Sequence, residues 1–341
     1  PRTEGYIMLH SISSILNANE PVPVSEDLDT PTKQSTRIGL AISAGGAKGL
    51  AHVGVIQVLE ENHIPIAAVS GASMGAYVGA LWCAGYKGHQ LQQLAEEIQT
   101  PKILRKLSDP VIPPSKGLFR GRRAKAHLRR SIGDITFKKL ARPLYVITAD
   151  IDTHQRIICQ TGKVIDAVHA SCAMPGVIVP VNYQGHRCVD GGIVDPVPIS
   201  ILKNRDDIDA VIAISTIPTF EEIDHCTIDT FQTPKRGLMR RALSYLLRPI
   251  NLLAHGNIID TFVSSLKASQ IRMAHQSCKH ADIVIKPISC LGRWYDYHEY
   301  DHFIEIGRQA AEQALPAIRA LLAPTPSDEP QANHMVGKSL N

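Results

Sequence analysis

Pro65-Ile66-Ala67-Ala68-Val69-Ser70-Gly71-Ala72-Ser73-Met74-Gly75-Ala76 runs from an apolar stretch, through a G-x-S-x-G turn, into an Ala-rich segment closed by Gly85. The apolar part, 65–70, predicts a buried strand, and 76–84 predicts a helix. A strand that breaks sharply into a helix pushes the side chain at the turn out of the sheet. Gly71 and Gly75, two positions either side of Ser73, let the chain bend there without a clash. The N-terminal N–H groups and dipole of the following helix would favour negative charge forming beside Ser73. Ser73 is therefore a candidate nucleophile. The plainer reading is a tight turn with a capping serine, which the flanking strand and helix argue against.

The same arrangement occurs one unit earlier. Residues 37–43 predict a strand, Ala44-Gly45-Gly46-Ala47-Lys48-Gly49 a glycine-rich turn, and Leu50, Val53, Val55, Ile56 and Leu59 a helix. Such a turn can aim backbone N–H groups into a pocket and leaves room for a bound group. It would suit the oxyanion of a tetrahedral intermediate. A phosphate loop is the rival reading, but Gly49 follows Lys48 where G-K-[ST] would be needed. A purely structural turn is the third.

Further strands are predicted at 143–149, 209–215 and 283–285. A last helix is predicted over 303–322, which Pro316 should kink or split. Continuous apolar strands alternating with helices point to an α/β fold, a mostly parallel sheet covered on both faces. Residues 1–36 read as a weakly ordered leader or linker, and 324–341 as a disordered tail. No signal peptide is visible, and no apolar run is long enough to span a bilayer, so any membrane contact should be peripheral.

Of 341 residues, 44% are hydrophobic and 20% charged, the balance of a soluble globular chain. A net charge of +4 is too small to argue for nucleic acid. The seven cysteines are scattered and form no C-x-x-C, which suggests neither a disulfide framework nor structural zinc, and favours a reducing compartment. No carboxylate-rich loop suggests calcium. No metal or cofactor is expected, and the oligomeric state is left open.

Taken together, the glycine-rich loop, the G-x-S-x-G elbow about two dozen residues on, and Val189-Asp190-Gly191-Gly192 leading to Asp195-Pro196-Val197-Pro198 resemble patatin-like phospholipases. The likeness is strongest to the bacterial branch related to neuropathy target esterase. Gly117-Leu118-Phe119, Ile135-Thr136-Phe137, Ala149-Asp150-Ile151 and 170–176 add to it. The resemblance covers about 37–205 and, more loosely, the end of the chain; 206–323 reads as the remainder of the same α/β domain. It implies a three-layer sandwich and a carboxylic ester hydrolase acting on lipids. The expected catalytic pair is Ser73 and Asp190, with Gly45, Gly46 and Ala47 as the oxyanion hole. Lys48, Gly49, Gly71, Gly75, Gly191 and Gly192 support these motifs. In an apolar cleft desolvation would raise the Asp190 pKa toward that of a useful base. Ala44 stands where the family has the first loop glycine. If that position required a positive φ, alanine would be strained by about 1 kcal/mol.

Three other readings are open. A Ser-His-Asp hydrolase could take its base from His275, His280, His298 or His302, although the elbow comes early for that fold. His298-Glu299-Tyr300-Asp301-His302 formally reads H-E-x-x-H, a zinc-protease signature, but a solvated stretch leading into the last helix explains it as well. A non-catalytic lipid-binding module would share the motifs and lack turnover.

Two basic stretches bear on partners. Residues 116–130 carry seven lysines and arginines. Residues 235–254 read as an amphipathic helix able to lie on an anionic membrane, or equally as a helix packed on the core. The expected substrate is a phospholipid or lysophospholipid, and the expected setting is the cytoplasm or membrane surface of a bacterium.

Overall fold

The computed structural model describes residues 36–100, 106, 108–113, 116–223, 258–288 and 295–323. Nearly all of the expected leader, the basic helix at 235–254 and the tail from 324 lie outside the described residues.

The described chain begins with β1 (Ile38–Ile42), a 3-10 turn (Gly46–Leu50) and α1 (Ala51–Glu61). Next come β2 (Ile66–Ala72) and α2 (Met74–Cys83), then α3 (Gly88–Ile98) and α4 (Arg122–Ile132). The middle holds β3 (Leu144–Asp150), β4 (Arg156–Cys159), α5 (Val164–Ser171), β5 (Val181–Tyr183) and β6 (His186–Asp190). The last elements are α6 (Ile199–Lys203), β7 (Ala210–Ile214), α7 (Ile258–Cys278), β8 (Ile283–Ile285) and α8 (Tyr300–Leu322).

The strands form one sheet in the order β5-β6-β3-β2-β1-β7-β8, with β4 also paired to β3. β3, β2, β1, β7 and β8 run parallel, whereas β4, β5 and β6 join by antiparallel pairing. The mostly parallel sheet is therefore as expected, with an antiparallel edge the sequence reading did not include. Ile38–Ile42 pairs with Ala210–Ile214, so segments 37–205 and 206–323 contribute to one sheet.

Alternation along the strands makes two cores. Ile38, Leu40, Ile42, Val69, Leu144 and Val146 pack with α1 and α2 on one face. The other face carries smaller residues, Ala41, Ala68, Ala72 and Ala213, which meet Ile199, Leu202 and Ala274. A strand buried on both sides reads as an unbroken apolar run, which is why β1 and β7 were visible. α8 continues through Pro316, so the expected split does not occur. Among the described residues no helix is long and apolar enough to cross a membrane, and Cys83, Cys159, Cys172, Cys188 and Cys278 are free thiols.

Candidate active site

β2 does not stop at Ser70 but continues to Ala72, so Ser73 is the first residue past the strand and the N-cap of α2. Its backbone has φ 53 and ψ −120, a conformation L-residues rarely adopt. The surroundings hold it there. A Cβ on Gly75 would lie 2.4 Å from the Ile42 carbonyl oxygen and 2.5 Å from that of Ser43, so the elbow presses directly onto the end of β1. The Ser73 N–H donates to Ser171 Oγ at 2.9 Å, and the Ser171 hydroxyl donates to the Ile147 carbonyl at 2.5 Å. The Cys172 thiol donates to the Ser73 carbonyl at 3.3 Å. Strain of this kind, fixed by neighbours, is a mark of functional turns.

Asp190 is the last residue of β6, on the antiparallel side of β3, where it is register partner to Thr148. This pairing brings its carboxylate to the elbow. The Ser73 hydroxyl donates to Asp190 Oδ2 at 2.6 Å. The Gly192 N–H donates to Oδ1 at 2.8 Å, which fixes the carboxylate's orientation. Gly191 packs against the Ile147 carbonyl, and the Gly192 carbonyl accepts from Gln270 Nε2 at 3.0 Å. Asp190 is 4% and Ser73 9% exposed. Burial pushes the Asp190 pKa up to about 6, against the pull of the Ser73 hydroxyl and the Gly192 amide. The expected shift is present, and desolvation is its cause.

Gly45 and Gly46 sit beside this pair. Gly46 has φ 57, which suits glycine, and opens the 3-10 turn; the first N–H groups of such a turn have no partner within it. Ala44 is not among the residues with positive φ, so alanine carries no backbone strain there. The strain expected of a positive φ at Ala44 is absent, because the left-handed position of this loop is Gly46. Ala47 is buried against the core, and Gly49 packs against the Met74 side chain. The Ser73 N–H is already engaged by Ser171, while Gly45 and Gly46 line the space around Ser73. Lys48 is half-buried, and its pKa is lowered to about 8 by burial and by Lys267, with Asp296 opposing.

Two cavities meet here. The larger, about 320 Å³, is walled mainly by hydrocarbon, including Leu81, Leu91, Leu94, Val177 and Ile178. The smaller, about 180 Å³, includes Lys48, Thr216, Lys267 and Gln270 among its walls. Gly46, Ser73, Met174 and Asp190 line both. His127 also lines the larger one, its Nδ1 3.3 Å from the Tyr77 hydroxyl.

His275, His280, His298 and His302 line neither cavity. His298 lies in a 3-10 turn, His302 in the first turn of α8, and His298 Nε2 is 3.2 Å from Glu299 Oε1. The two histidines therefore do not share one α-helical face. No group of three or more potential ligands able to hold a metal occurs among the described residues.

Ser171, Thr216, His52 and His127 had no assigned role in the sequence reading. Only Ser171 carried a signal, as part of the recognised stretch 170–176. The basic segment 116–130, which lacks acids in sequence, acquires them in space. Lys125 pairs with Asp166 at 2.5 Å, Arg129 with Asp134, and Arg123 Nη1 donates to the Ser108 carbonyl.

A family model described as patatin-like phospholipase matches residues 40–203. An uncharacterized NTE family protein of Mycobacterium tuberculosis is 34% identical over 194 residues, covering 57% of this chain and 53% of that protein. The neuropathy target esterase of Drosophila melanogaster is 32% identical over 171 residues, covering 49% of this chain and 12% of that one. This chain thus spans about half the length, or less, of these curated relatives. Among solved structures it is similar to VipD from Legionella pneumophila, with a TM-score of 0.42 and 14% identity, covering 90% of this chain and 73% of that one.

Proposed function

We propose that this chain, whose residues 40–203 match the patatin-like phospholipase model, is a serine lipid acyl hydrolase that cleaves carboxylic esters through Ser73 and Asp190. The observation that carries this reading is the 2.6 Å hydrogen bond from a strained, nearly buried serine hydroxyl to a buried carboxylate, at the junction of two cavities.

The ester lies at the junction, with its acyl chain in the hydrocarbon-walled cavity and its alcohol toward the smaller, more polar one. Ser73 Oγ attacks the carbonyl carbon as its proton passes to Asp190 Oδ2. The carbonyl oxygen gains the negative charge and is met by N–H groups from Gly45, Gly46 and Ala47. Collapse expels the alcohol, which takes the proton from Asp190 and leaves Ser73 acylated. Water then attacks the acyl group with Asp190 again as base, releasing the fatty acid and restoring the serine. A lone carboxylate can do this because burial brings its pKa closer to working pH than an exposed aspartate's.

Asp190 must be ionised to take the proton. As the pH falls below about 6 the carboxylate is protonated, and kcat/KM should drop about tenfold per pH unit. A pH series with a neutral nitrophenyl ester checks this. A profile flat down to pH 4 would contradict the assigned base.

The substrate proposed is a phospholipid or lysophospholipid, since the larger cavity suits a hydrocarbon chain. The exposed cations Arg120 and Arg122, next in sequence to the lining residues Phe119 and Gly121, would favour an anionic membrane surface. Lipid mass spectrometry of mixed bacterial membranes incubated with wild type or S73A tests the whole reading. Fatty acid and a deacylated lipid should appear with wild type alone. Identical lipid profiles would refute it.

A further inference from the structure

We propose that Thr216 and His52 are positioning residues for the oxyanion loop, fixing the carbonyls of Ala44 and Ser43 so that the Gly45 amide faces the reacting oxygen. This rests on the reading of Gly45–Ala47 as that loop.

The peptide planes leaving β1 set where the loop's N–H groups point. A trans peptide is rigid, and its C=O and N–H point in opposite directions, so holding one end aims the other. In the Ser43–Ala44 peptide both ends are held. The carbonyl lies 2.9 Å from His52 Nε2, and the Ala44 N–H donates to the Pro196 carbonyl at 2.9 Å. In the next peptide, the Ala44 carbonyl accepts from Thr216 Oγ1 at 3.1 Å. The Gly45 N–H is the opposite end of that plane. Thr216 is itself fixed by the strand it holds, because its N–H donates to Ser43 Oγ at 3.0 Å. The fit is close: a Cβ on Gly45 would sit 2.3 Å from Thr216 Oγ1.

His52 supports the same point from the opposite layer. A carbonyl only accepts, so Nε2 must carry the proton. Burial lowers the ring's pKa to about 4, leaving it neutral at ordinary pH. Its Nδ1 is then a fully buried lone pair with no hydrogen-bond partner among the described residues. An apolar side chain of similar bulk would fill the space without that orphan atom. What a histidine adds is the donor to Ser43. The Ser43 carbonyl also abuts Gly75, so one carbonyl joins α1, the loop and the nucleophile elbow.

The test compares Thr216→Val, which keeps the shape and removes the hydroxyl, with Thr216→Ser, which keeps it, on a short-chain nitrophenyl ester. T216V should lose about 10- to 100-fold in kcat, with KM and melting temperature close to wild type, a fraction of the effect of deleting an oxyanion donor. T216S should stay within a few-fold of wild type. Wild-type kcat in T216V, or equal loss in T216S, would overturn the proposal. Should T216V fail to fold, His52→Gln, which retains a side-chain N–H, is compared with His52→Leu. Higher kcat in H52Q supports the assignment, and equal loss in both overturns it. Absence of hydrolysis by the wild type would instead refute the function itself, so the two failures are distinct.

Discussion

Asp190→Asn is expected to lower kcat/KM for ester hydrolysis by about 10³- to 10⁴-fold while the fold survives. The amide occupies the same volume and keeps both contacts. Its carbonyl can accept from the Gly192 N–H, and its NH₂ can donate to Ser73 Oγ, so the geometry of this pair is retained. What disappears is the group able to accept the serine proton. Asp190 is the only titratable side chain given a hydrogen bond to Ser73 Oγ among the described residues, and the late histidines line neither cavity. Steady-state rates on pure, folded protein measure the effect. Turnover within tenfold of wild type would mean that another base is at work.

The same substitution is expected to stabilise the protein at alkaline pH by about 2–3 kcal/mol. The native Asp190 pKa is raised from 3.8 to about 6 by burial. For a group raised in this way, the stabilisation is fully present below the unfolded pKa and is lost as pH rises through the folded one. Roughly two pKa units at 1.36 kcal/mol each amount to about 3 kcal/mol lost between pH 4 and 7. Asparagine bears no such cost. Denaturant midpoints at pH 8 should therefore favour D190N, and the gap should close near pH 4. Equal stability at pH 8, or a gap independent of pH, would show that the carboxylate is not held against its solvation. A buried base of this kind makes activity and stability oppose one another at a single atom.

What the sequence made legible was the part built from periodicity and sharp turns. β1, α1, β2 and α2 are apolar runs joined by glycine-rich junctions, and the pairing of Ser73 with Asp190 followed from the resemblance of those junctions to a family. The antiparallel strands were not legible. Arg156–Cys159 and His186–Asp190 are short and half-exposed, so no apolar run marks them. Yet β6 is the strand that delivers Asp190. The extension of β2 through Gly71 and Ala72 was also hidden, because small residues carry little strand propensity of their own. Ser171, Thr216 and His52 lie 98, 143 and 21 residues from Ser73 in sequence, and only tertiary pairing gives them partners at the loop and elbow. Pro316 shows the opposite failure. A strong local signal for a break was overridden where Phe303, Ala311 and Ile318 of one continuous helix pack into the core.

Folding also rearranges the charge pattern read along the chain. Residues 116–130 look uniformly basic along the chain, but Asp134 and Asp166 fold back onto Arg129 and Lys125. The cations available to a membrane are thus fewer than a linear reading counts.

The most direct test of the Ser73–Asp190 account is covalent labelling with a fluorophosphonate, followed by peptide mass spectrometry. The account predicts one phosphonyl group on the peptide containing Ser73 in the wild type, far slower labelling in D190N, and none at that site in S73A. A wild-type protein that stays unlabelled, or that carries the adduct on a different residue, would contradict it.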